Sequence, residues 1–123
     1  MDHRFEIYSI NNVRIARILP EGIVIQNEQD ALELIANCYY NGASKLLIHE
    51  TQIHPDFFDL KSGLAGEILQ KFSNYQAQLA IIGDFLKYSS NSLQDFIRES
   101  NRAGRIFFTA NEEDGINKLA QGS

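Results

Sequence analysis

Tryptophan is absent from this 123-residue chain, proline occurs twice, and Cys38 is the only cysteine. A lone cysteine excludes an intramolecular disulfide and makes a reducing compartment the expected setting. No window approaches the roughly 18 consecutive apolar residues of a membrane span. Met1-Asp2-His3-Arg4-Phe5-Glu6 lacks the apolar run of a signal peptide. A cytoplasmic protein without membrane contact is expected. Positive charge is also scarce: 11 Lys and Arg against 16 Asp and Glu leave a net charge of −5, with no long basic cluster. Nucleic-acid binding leans on cationic patches facing phosphate, so that class is excluded.

What is present is ordinary globular material. Hydrophobic residues make up 44 % of the chain and charged residues 22 %, which argues against disorder. A chain of this length buries roughly two-thirds of its unfolded surface without help from disulfides or metal. No linker, repeat or low-complexity stretch divides it, and residues 1–123 read as one domain.

The pattern of elements is legible. Phe5 to Ile10 and Val13 to Leu19 read as strands around Asn11-Asn12, a pair suited to a tight hairpin. Pro20-Glu21-Gly22 turns the chain, and Ile23-Val24-Ile25 reads as a short third strand or a continuation of the second. Asn27 with Asp30 caps a helix whose Ala31, Leu34, Ile35 and Cys38 form one apolar stripe, ended by Asn41-Gly42. Cys38 on that stripe reads as a buried hydrophobe rather than a reactive thiol. Leu46–Ile48, Leu79–Ile82 and Ile106–Phe108 are apolar without alternation, as in strands covered on both faces. Helices are expected to start within Pro55–Asp59, near Leu93 (capped by Ser92 with Asp95) and near Glu112 (capped by Asn111). The fold class is α/β: a mixed sheet with an N-terminal antiparallel hairpin, then parallel βαβ units with right-handed crossovers.

Parallel sheets collect ligands beyond the carboxyl ends of their strands. Glu50 and Asp84 end consecutive strands, and Asp59 follows nearby. Together they are a candidate ligand or metal site, or else solvated acids and helix caps. His49 and His54 lie five apart, the wrong spacing for a zinc-protease helix. There is no phosphate-binding glycine loop and no Gly-x-Ser-x-Gly elbow. Neither a cofactor nor a structural metal is expected. Gly63 and Gly66 read as positions of close helix–sheet packing. Phe57, Phe58, Phe85 and Tyr88 fall in expected connections, where they form either an interface patch or packing beneath the loops.

The stretch Phe57-Phe58-Asp59-Leu60-Lys61-Ser62-Gly63-Leu64-Ala65-Gly66-Glu67-Ile68-Leu69-Gln70-Lys71-Phe72-Ser73-Asn74-Tyr75 resembles an uncharacterised bacterial domain-of-unknown-function family. The likeness continues through Leu79–Phe85 and Phe96–Arg102, and membership implies no established activity. More distantly, the strand–helix order and Ser62-Gly63-Leu64 are similar to STAS domains, the fold of anti-sigma-factor antagonists. There a phosphorylatable Ser or Thr precedes Gly-Leu-Gly at the start of a helix, which makes Ser62 a candidate phosphorylation site. Asp59 stands three residues before Ser62 rather than two, Lys61 replaces a small residue, and Gly66 is displaced by one.

The resulting expectation is a STAS-like regulatory or interaction domain that binds a protein partner or itself, without catalysis. The alternative is a small-molecule or metal-dependent enzyme built on Glu50, Asp59 and Asp84, which requires those carboxylates to share a point in space.

Overall fold

Asn11 and Asn12 both adopt positive φ, 54° and 67°, the backbone of a two-residue hairpin turn. They join β1 (Phe5–Ile10) to β2 (Val13–Ile18) in antiparallel register, with Ile10 opposite Val13. The computed structural model describes residues 5–121. Beyond the hairpin run α1 (Glu28–Tyr40), β3 (Lys45–His49), α2 (Leu64–Asn74), β4 (Gln78–Ile82), α3 (Asn91–Ala103), β5 (Ile106–Thr109) and α4 (Glu112–Ala120). The sheet order is β1-β2-β3-β4-β5, with every pair after the hairpin parallel. The expected α/β sheet is the one observed.

Both faces of the sheet are covered, which explains the apolar runs. Alternate side chains of one strand enter different cores: Leu46 and Ile48 join residues of α1, α2 and α3. Leu47 joins Ile15, Ala80, Ile82, Phe107 and Leu119 beneath α4. Cys38 is fully buried on the α1 stripe, and burial pushes its thiol up to about 12. Close packing on the α4 side falls to Gly115, where an added Cβ would lie 2.7 Å from Ile82 Cδ1.

Four local expectations are corrected. Ile23–Ile25 is not a strand: Ile25 makes one isolated bridge to Ile53, because the backbone here pairs with the Gln52–His54 loop. The helix expected within Pro55–Asp59 begins only at Leu64, after 3-10 turns over Pro55–Phe58 and Leu60–Ser62. Asp59 is extended and caps Lys61 N–H with its side chain, and Gly63 at φ 81° interrupts the helical path. The cap of α3 is Ser90 rather than Ser92, its hydroxyl accepting from Leu93 N–H at 3.2 Å. Gly63 and Gly66 face open space, so neither serves close packing.

Candidate functional site

The carboxyl ends of β3 and β4 are stitched together by one side chain. Glu50, just past β3, turns toward Gly83-Asp84 and is only 12 % exposed. Its carboxylate accepts from Asp84 N–H at 3.2 Å, Lys87 Nζ at 2.9 Å and the Tyr88 hydroxyl at 3.1 Å. Gly83 is required for this approach, since a Cβ there would sit 2.6 Å from Glu50 Oε1. The electrostatics follow: the hydrogen bond to Glu50 raises the Lys87 pKa. Burial, then the neighbouring Glu50 charge, raises that of Tyr88.

Asp84 and Asp59 are engaged differently. Asp84 caps the turn Phe85–Lys87 by accepting from Leu86 N–H, and Asp59 caps its own turn at Lys61. Among the described residues no three His, Cys, Asp or Glu side chains are grouped to hold a metal ion. Glu50, Asp59 and Asp84 therefore do not group as a metal site, and short-range backbone donors engage the two aspartates where they stand.

The loop aromatics do come together. Phe58 stacks on Tyr88 at 5.2 Å between ring centroids and on Phe85 at 6.0 Å, and meets Phe57 edge-on at 5.0 Å. Phe57 and Phe85 also contact Phe108 of β5. Phe57 has no exposed surface and Phe85 only 9 %, so these two underpin the loops rather than form an outer patch. Phe58 and Tyr88 are partly exposed and, with Glu50, Ile53, Pro55 and Lys87, line a shallow groove of about 270 Å³. Of the exposed apolar side chains here, Ile23 lines this groove at 43 % accessible, and Leu86, 91 % accessible, stands beside it. Leu86 borders a second groove of about 370 Å³ over Ile97 and Phe108.

Ser62 is exposed immediately ahead of α2. Its hydroxyl donates to the Asp56 carbonyl at 2.6 Å and accepts from Leu64 N–H at 3.1 Å. The latter is one of the helix's otherwise unsatisfied first amides.

A family model for a domain of unknown function, DUF4180, matches residues 10–119. The chain belongs to this family. No curated protein matches the sequence. Among solved structures, a protein described as a candidate anti-sigma factor antagonist from Thermotoga maritima is similar, with a TM-score of 0.52. The alignment covers 95 % of this chain and 93 % of that one at 10 % identity. At that identity the likeness is one of fold, and it agrees with the STAS resemblance of the sequence. No described helix is long and apolar enough to cross a membrane.

Sequence reasoning missed one polar cluster of this DUF4180 domain, on the α4 side of the same strand ends. Glu112, in the first turn of α4, accepts two hydrogen bonds from Arg17, at 3.0 and 3.1 Å, and meets His49 Nε2 at 2.6 Å. The Arg17 hydrogen bond lowers the Glu112 pKa most, burial opposing it and His49 assisting. A period-two reading places Arg17 beside Ile15 and His49 beside Leu47 on one face, a signal that was available. That Glu112 would meet them was not, because it arrives from the far end of the chain.

Proposed function

We propose that this domain is a non-catalytic, STAS-like binding module whose contact with a protein partner is controlled by phosphorylation of Ser62. The observation that carries the reading is Ser62 itself: an exposed hydroxyl at the amino end of the eleven-residue α2, bonded to a helix amide. The positive end of the helix macrodipole favours a phosphate's added charge of about −1.5 to −2 there. Lys61 is adjacent, and Asp59 opposes.

In the reaction a partner kinase transfers the terminal phosphoryl group of a nucleoside triphosphate. The Ser62 Oγ–P bond forms, the donor's P–O anhydride bond breaks, and the hydroxyl proton leaves to the kinase's base. The phosphoester no longer donates to the Asp56 carbonyl, so the turn Pro55–Ser62 loses its closing hydrogen bond. Phe58 and the groove beside it belong to that turn, which ties the modification to the binding surface. The groove and the exposed Leu86 next to it supply apolar area for a partner.

The test is expression in the native host, phosphorylation mapping by mass spectrometry across growth phases, and affinity capture with wild type, Ser62→Ala and Ser62→Asp. Modified Ser62 and a partner captured by wild type but lost with Ser62→Asp are expected. An unmodified Ser62 together with unchanged capture by Ser62→Asp rejects the proposal.

A further inference from the structure

β1 is an edge strand, and among the described residues β2 is the strand it pairs with. Its outward hydrogen-bonding groups follow from the hairpin. A two-residue turn makes Ile10–Val13 a hydrogen-bonded pair, and such pairs alternate along an antiparallel ladder. Tyr8–Ile15 and Glu6–Arg17 are then bonded pairs, while Phe5, Ile7 and Ser9 aim their N–H and C=O groups away from β2. Natural edges are guarded by proline, lysine or a bulge. β1 has none of these: its register with β2 is one-to-one from Phe5 to Ile10, and its single charge is Glu6.

We infer that β1 is a self-association edge, pairing antiparallel with β1 of a second copy about a two-fold axis at Ile7. The register is determined by which groups face outward. Centring on Ile7 sets Ile7 against Ile7 and Phe5 against Ser9, so all three outward residues of each copy find outward partners. Shifting by one residue would match outward groups with groups already bonded to β2.

The side chains agree with this register. It places Glu6 of each copy directly opposite Tyr8 of the other, at the closer, non-hydrogen-bonded spacing. Within one copy Glu6 is weakly held: the Tyr8 hydroxyl and Arg17 Nη1 both stand at 3.4 Å, and its side chain is 53 % exposed. A phenol from the second copy supplies a further donor to this loosely held carboxylate, with Arg17 beside the pair. On the opposite face Phe5 and Ile7, already packed on the main core, extend that apolar surface across the axis. The product is a continuous sheet through both protomers, isologous and closed. It leaves Ser62 and its grooves at the strand ends untouched.

Sedimentation velocity on the full chain from about 1 to 300 µM should show a reversible monomer–dimer equilibrium. Ser9→Pro removes one outward N–H per copy without touching the core, a placement that edge strands tolerate. It should weaken the dimer by roughly tenfold or more while leaving circular dichroism and thermal unfolding near wild type. Mixing Glu6→Cys chains with Tyr8→Cys chains under mild oxidation should give a disulfide-linked dimer, which neither variant forms alone. A monomer at every concentration, a dimer indifferent to Ser9→Pro, or equal cross-linking by Glu6→Cys alone would each overturn the inference.

Discussion

Replacing Glu50 by Gln is the sharpest test of the stitched strand ends, because it keeps shape while removing charge. The side chain is nearly buried and receives three donors. Lys87 is half exposed, and solvent screens its ion pair with Glu50. The Asp84 amide and the Tyr88 hydroxyl each contribute about 1 kcal/mol. A glutamine oxygen can keep one of them, but its amide turns a donor toward the other. The expected loss is about 1 kcal/mol, or about 4 °C in Tm for a domain of this size.

The stronger readout is Tyr88, whose pKa stands above its ordinary 10.0 through burial first and Glu50 second. With Gln at position 50 the burial part remains and the charge part goes, so the Tyr88 pKa must fall. A raised folded pKa contributes stability that is complete below the unfolded value and disappears as pH rises through the folded one. The stability gap between wild type and Glu50→Gln that comes from this pair is therefore full at pH 8 and narrows above pH 10. Spectrophotometric tyrosine titration, with Tyr88→Phe to assign the transition, measures the shift directly. Urea unfolding at pH 8 and 10.5 measures the gap. Gly83→Ala should mimic the substitution, because its Cβ occupies the space of the Glu50 carboxylate and drives it off Tyr88. An unchanged Tyr88 pKa in both variants would refute the contact and with it the account of how β3 and β4 are joined.

Glu112→Gln should destabilise the domain by about 0.5–1 kcal/mol near neutral pH. The Glu112 pKa is depressed, chiefly by Arg17, so this contribution is present above the ordinary value of 4.5 and lost as pH falls through the folded one. Urea midpoints of the two proteins should draw together as pH falls below 4.5, and a constant gap would contradict the pairing. Cys38, buried with its thiol pushed up to about 12, should resist a maleimide or disulfide reagent at pH 8 in the native protein and react at once in urea. Stoichiometric native labelling would show that α1 opens far more readily than its packing implies.

The sequence by itself determined the elements whose signals are local. The 3.6-residue stripe of Ala31, Leu34, Ile35 and Cys38, the Asn11-Asn12 turn and the stop at Asn41-Gly42 all act within a few residues, as do the uninterrupted apolar strands. These carry the mixed α/β sheet. Local signals failed where two of them competed. Between Pro55 and Gly63, His54, Asp59 and Ser62 each bond nearby backbone and break what reads as one helix entrance into short turns. Tertiary structure alone decided which acids meet which donors. Glu50 meets Tyr88 across 38 residues, and Glu112 meets Arg17 across 95, through the order and register of parallel strands. No spacing within the chain encodes such distances, because crossover connections decouple separation along the sequence from separation in space. The same reason explains why Glu50, Asp59 and Asp84, similar on the page, hold three different posts in the folded domain.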